Sequence, residues 1–106
     1  MKIILVCSTG TSSGELVRKM KKISDEKKLD LDIKGIGYTD IINEVDGANV
    51  ILLGPQVKYS RRKVSEIADP KDIPVEIVNH ITYGTRNAEK VIEFAINIIN
   101  KFKSRE

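Results

Sequence analysis

The sequence predicts an open α/β fold, with four parallel strands in the order 2-1-3-4 and helices on both faces. Three observations carry this expectation. Short apolar runs alternate along the chain with stretches of helical periodicity, in the order β-α-β-α-β-α-β-α. The runs Ile3-Ile4-Leu5-Val6 and Val50-Ile51-Leu52-Leu53 are apolar throughout, as strands buried on both faces must be. The other two runs alternate with polar residues, which places them at the sheet edges. A 2-1-3-4 order satisfies that burial pattern and permits right-handed crossovers.

Each element has its own justification. Residues 3–6 form the first strand. Leu16, Val17, Met20 and Ile23 recur at helical spacing and predict a helix from about Ser13 to Lys28. Leu29, Leu31 and Ile33 alternate with Asp30, Asp32 and Lys34, which predicts a half-exposed second strand. Asp40 is placed to cap a short helix carrying Ile41, Ile42 and Val45, with Gly47 ending it. The third strand, residues 50–53, stops at Gly54-Pro55. Helical character resumes over Ser60 to Ala68, with Val64 and Ile67 inward. Pro74 introduces a fourth strand over Val75 to Val78. A final amphipathic helix carries Val91, Ile92, Ala95, Ile98, Ile99 and Phe102. Lys101, Lys103 and Arg105 near its end suit the helix dipole.

Composition narrows the function classes. The 106 residues suit a single domain spanning 1–106, with a core large enough to need no staple. Hydrophobic residues make up 41% and charged residues 31%, an ordinary soluble balance. The net charge of +3 is spread along the chain, so no basic face for nucleic acid is expected. One cysteine forms no internal disulfide, which points to a reduced thiol in cytosol. Residues 3–6 are too short a run for direct membrane insertion or a signal peptide.

That single cysteine, Cys7, ends the first strand. Ser8, Thr9, Gly10, Thr11, Ser12 and Ser13 follow it and lead into a helix N-terminus. In the expected strand order, ligands sit beyond the carboxyl ends of strands 1 and 3, where the chain reverses its direction of growth. Small residues there let backbone N–H groups converge on a tetrahedral anion, and the helix dipole adds to the attraction. The same field favours thiolate over thiol at Cys7. Taken singly, a lone cysteine is more often a small buried hydrophobe, and a Ser/Thr/Gly cluster is more often a turn. Their adjacency at the switch point favours a site in which Cys7 is the reactive group and Ser8 to Ser13 bind phosphate.

Three chemistries compete for such a loop. A low-molecular-weight phosphotyrosine phosphatase has cysteine, five residues and then arginine. Here that position is Ser13, so the bidentate guanidinium clamp is missing. Asp69-Pro70 imitates that enzyme's general-acid motif but reads better as a helix end. A flavodoxin-like module binding FMN is the second reading; the sequence has no tryptophan and no obvious flavin-sandwiching loop around Tyr38, Tyr59 or Tyr83. Outside these three, a thiol redox module, with Cys7 oxidised, is an alternative that binds no anion. The remaining chemistry keeps the cysteine and omits the arginine.

The segments LVCSTGTSSGELVRKM, NVILLGPQVKY and PVEIVNHITYG carry a resemblance that covers nearly the whole chain. They resemble the enzyme IIB component of the lactose/cellobiose (chitobiose) branch of the bacterial sugar phosphotransferase system (PTS). The resemblance implies a flavodoxin-like fold and a cytoplasmic phosphocarrier. Cys7 would accept a phosphoryl group from a phosphohistidine on a IIA partner. It would then pass it to a sugar of the cellobiose, chitobiose or lactose type bound in a IIC membrane permease. By the same resemblance Ser8, Thr9, Gly10, Thr11, Ser12 and Ser13 form the phosphoryl cradle, no cofactor or metal is needed, and any membrane association runs through the permease. The sequence departs from the family pattern at Thr11, Gly14 and Asn79.

Two further features border the expected site. His80 follows the last strand at the same carboxyl edge and reads as a solvated loop residue or a partner contact. Lys58, Arg61, Arg62 and Lys63 read equally as a solvated helix start or as a basic rim for an acidic partner.

Overall fold

The computed structural model describes residues 1–7 and 14–104. Its sheet is parallel throughout, in the order β2-β1-β3-β4. The strands are β1 (Lys2–Cys7), β2 (Asp32–Gly37), β3 (Val50–Leu53) and β4 (Val75–Ile77). The helices are α1 (Gly14–Lys27), α2 (Ile41–Glu44), α3 (Arg61–Ala68), α4 (His80–Gly84) and α5 (Ala88–Lys103).

Period-2 alternation in the central strands makes two cores. Ile3, Leu5, Val50 and Leu52 point to one face, where Leu16, Val17 and Met20 of α1 meet Val91, Ile92, Ala95 and Ile99 of α5. Ile4, Val6, Ile51 and Leu53 point to the other, under Ile41, Val45, Val64 and Ala68. Residues 3–7 and 50–53 are fully buried, which is why their sequence shows no polar position. The expected architecture and strand order therefore hold.

Three local expectations need correction. The second strand begins at Asp32, not near Leu29. Lys28 and Asp30 have φ of 53° and 54°, so the chain turns there rather than extends. Leu29 and Leu31 still pack on the first core, but from this turn, with their N–H groups donating to Ser24. Their alternation imitated a strand. Asp40 makes no side-chain cap, because a 3₁₀ turn over Tyr38–Asp40 leads into α2 with helical backbone at Asp40. Ile42 faces outward at 68% exposure. Finally, α4 stands where a loop was expected: the Asn79 Oδ1 accepts from the N–H groups of Ile81 (2.8 Å) and Thr82 (3.4 Å). That is an N-cap, and Asn before a helical turn was its sequence signal.

The turn after α2 is tied down by lysines from three directions. Lys2 Nζ donates to the carbonyls of Glu44 and Asp46. Lys34 pairs with Glu44 at 2.5 Å, and Lys71 with Asp46 at 2.6 Å. Hydrogen bonds from Lys34 and Lys71 hold the Glu44 and Asp46 carboxyls below the ordinary carboxylate range. Carboxyls depressed in the folded state contribute stability that is present above their unfolded values and lost as pH falls through the folded ones. Both pairs are exposed, so the effect is small. Urea unfolding between neutral pH and the acid end of the carboxylate range should therefore show a slight loss of stability that Glu44→Gln with Asp46→Asn removes. An acid dependence unchanged in the double variant contradicts this.

Candidate functional site

The parallel register gathers four strand ends at one edge. Cys7 pairs with Gly37, Val6 with Leu53, and Leu53 with Ile77. Past the ladder, the Gly54 N–H donates to Val6 (2.8 Å) and the Val78 N–H to Leu53 (2.9 Å). The connection leaving β1 leads to a helix over one face, and that leaving β3 to a helix over the other. Cys7 thus ends its strand at the edge where the two crossovers part, the edge at which such sheets take ligands.

Cys7 is fully buried, and one contact of its Sγ is with the Ile36 carbonyl at 3.9 Å. Donors that would favour the thiolate were expected on Ser8, Thr9, Gly10, Thr11, Ser12 and Ser13, and these lie outside the described residues. Helix α1 begins at Gly14, one residue beyond them.

The structure brings to this edge three residues that sequence reasoning did not assign. Gln56 Nε2 donates to the Tyr83 hydroxyl at 3.3 Å. The Tyr83 ring is buried, and the Arg86 guanidinium lies over it, 5.5 Å from the centroid. Arg86 Nη1 donates to the carbonyls of Tyr83 (3.0 Å) and Gly84 (3.1 Å), while Nε lies 3.9 Å from Glu15 in the first turn of α1. The chain of contacts Gln56–Tyr83–Arg86–Glu15 braces the loop after β3 and the end of α4 against the start of α1. An arginine is therefore present at this edge, although position 13 lacks one. Its separation in sequence from Cys7 hid it; the positive φ of 55° that aims it has no residue-type signature at arginine.

Gly54 shows why the brace is tight. A Cβ there would lie 2.6 Å from Gln56 Oε1 and 3.3 Å from Tyr83 Cε2. Gln56 can swing away, but only by leaving the Tyr83 hydroxyl. Gly54→Ala should cost about 1–3 kcal/mol in urea unfolding, as overpacked sites do. Much of that cost should vanish in the Gln56→Ala background, giving a non-additive double-mutant cycle. Strict additivity would contradict the contact.

The remaining sequence candidates separate. Arg61 pairs with Glu76 at 2.5 Å and Arg62 with Glu66 at 3.9 Å, so these cations are answered within the chain. Lys63 is exposed, as is Tyr59. His80 opens α4, exposed, and borders with Lys58 a cavity of about 760 Å³ between β4 and α5. Asp69-Pro70 lies in a 3₁₀ turn closing α3. Among the described residues no cluster of His, Cys, Asp and Glu is placed to hold a metal ion.

Comparison with known proteins converges on one family. The model of the PTS lactose/cellobiose-specific IIB subunit matches residues 2–94. The galactose-specific EIIB component of the PTS of Lactococcus lactis subsp. cremoris is 33% identical over 103 residues, covering 92% of this chain and 95% of its own. The solution structure of the cellobiose-specific phosphotransferase IIB component from Borrelia burgdorferi matches with a TM-score of 0.79 and 42% identity, covering 95% of this chain and 93% of its own. The lactose-specific EIICB component of Lacticaseibacillus casei is 22% identical over 87% of this chain, and the match takes up 16% of its length.

Proposed function

The chain belongs to the lactose/cellobiose-specific IIB subunit family of the PTS, and on that premise we propose that it is a phosphotransferase whose carrier group is Cys7. The observation that carries this reading is the place of the cysteine: the last residue of β1, in a sheet of order β2-β1-β3-β4 whose crossovers part at that strand.

The reaction runs in two displacements. The Cys7 sulfur attacks the phosphorus of a phosphohistidine on a IIA partner. The P–N bond breaks, the S–P bond forms, and the thiol proton ends on the departing imidazole. A sugar hydroxyl at a IIC permease then attacks the same phosphorus. The S–P bond breaks, the O–P bond forms, and the hydroxyl proton restores the thiol. Backbone donors on residues 8–13 stabilise the charge spread over the equatorial oxygens. Both transfers require Cys7, covered in this structure, to be uncovered when a partner docks.

The partner assignment draws on the relatives. A protein named as an EIICB component contains a match to this chain, which supports a IIC permease as the acceptor side. Among the described residues no helix is long and apolar enough to cross a membrane. With a IIC permease as the acceptor side, the protein is placed in the cytoplasm and reaches the membrane through that permease. The sugars in the relatives' names differ, galactose in one and cellobiose in another. A β-glycoside or galactoside of that group is the expected cargo, and no cofactor or metal is assigned to the carrier.

The chain has one cysteine and one histidine, which makes the test decisive. Incubated with its phosphorylated IIA partner, it should gain one phosphate by intact mass, and iodine should remove it as a thiophosphate. An acid-labile phosphate that resists iodine places the group on His80 and overturns the proposal.

A further inference from the structure

A second site is suggested by the cavity beside β4. Its volume of about 760 Å³ falls within the range of small-molecule sites. Cys7 does not line it, but the segment after β3 reaches both: Gln56 faces Tyr83, while Lys58 lines the cavity.

The lining has a definite chemistry. Phe94 forms part of one wall and is 37% exposed, an aromatic surface that the core does not use. Asn97 and Thr82 supply neutral donors and acceptors beside it. Lys58, Lys90 and His80 supply donors that carry or accept positive charge, against the single carboxylate of Glu93. Among the described residues neither Lys58, Lys90 nor His80 holds an ion pair, whereas Arg61, only a few residues from Lys58, is paired with Glu76. Unanswered cations in a concave site attract an anion. An aromatic wall flanked by amide and hydroxyl groups suits a saccharide ring, whose C–H face packs on the ring while its hydroxyls bond at the rim.

We propose that this cavity binds a phosphorylated sugar, with the saccharide against Phe94 and Asn97 and the phosphate between Lys58 and Lys90. The site rests on the proposed phosphotransfer only for the source of its ligand, since a phosphorylated sugar is what that reaction releases. Occupancy would let product report to the loop that follows β3.

The test is a titration of the unphosphorylated full chain, with no IIA or permease present, followed by two-dimensional ¹H–¹⁵N NMR. Glucose 6-phosphate should shift the amides of His80, Lys90, Phe94 and Asn97 saturably. Glucose alone and inorganic phosphate alone should each bind at least about tenfold more weakly. Phe94→Ala and Lys90→Gln should each weaken glucose 6-phosphate by about tenfold, and Cys7→Ser should leave it unchanged. Equal binding of inorganic phosphate and glucose 6-phosphate overturns the saccharide assignment. Shifts confined to the neighbours of Cys7, or none up to about 20 mM ligand, overturn the site itself. Because Cys7 phosphorylation plays no part in the titration, failure here and failure of the carrier reading are read separately.

Discussion

Cys7→Ser should accept no phosphate from IIA and should support no sugar phosphorylation, with transfer reduced by at least about a thousandfold, or ~4 kcal/mol of activation free energy. The substitution swaps sulfur for oxygen at nearly constant shape. A serine hydroxyl can donate to the Ile36 carbonyl that the thiol now approaches at 3.9 Å, so the fold loses little. Urea unfolding should move by about 1 kcal/mol. The hydroxyl lacks the ready ionisation that makes a thiolate a nucleophile near neutral pH. A stable variant without activity is therefore the expected pair of results. Retained transfer at a comparable rate would remove Cys7 from the reaction, whatever the fold does.

The largest structural effect should come from Leu5→Ala. Leu5 is fully buried in β1, between Gly35 of β2 and Leu52 of β3 in register. It belongs to the core beneath α1 and α5, where strands and helices leave little room for collapse. Truncations of this kind cost about 3–5 kcal/mol, a large share of the roughly 5–15 kcal/mol that holds a domain of this size. Thermal unfolding should fall by at least about 10 °C. Ile42→Ala, at a side chain 68% exposed, should change stability by no more than about 0.5 kcal/mol. If the two variants unfold alike, the two-layer core assigned to this fold is wrong.

The contrast between Leu5 and Ile42 also shows what a sequence can display. Residues 3–6 and 50–53 carried their burial in their composition, because a strand covered on both faces admits no polar residue. Strand order followed, since only two strands were apolar throughout. The second strand was harder to place. Gly35 and Gly37 lie within it and give no apolar signal, while Leu29 and Leu31 alternate from a turn set by positive φ at Lys28 and Asp30. Pattern reports which side chains are covered, not which backbone covers them. The helix α4 was legible in principle through the Asn79 cap, but five residues are too few to show a period.

The site divides along the same line. The strand-end place of Cys7 was legible because an apolar run stops there and a helical pattern begins a few residues on. Gln56, Tyr83 and Arg86 were not, because their contacts with one another and with Glu15 arise only when four strand ends meet. Arg86 bears directly on the phosphatase reading: position 13 is serine in the sequence, yet a guanidinium stands at the strand-end edge, already engaged with Glu15 and two carbonyls. The basic group at Lys58, Arg61, Arg62 and Lys63 shows the converse. It looked continuous in sequence, but Glu76 and Glu66 answer two of its members.

If phosphorus is carried on the sulfur of Cys7, phosphorus-31 NMR of the chain charged by a phosphorylated IIA protein will show it there. One thiophosphate resonance, absent from Cys7→Ser and discharged when permease and sugar are added, is the predicted result. A phosphoramidate resonance, or a signal that persists in Cys7→Ser, would contradict it.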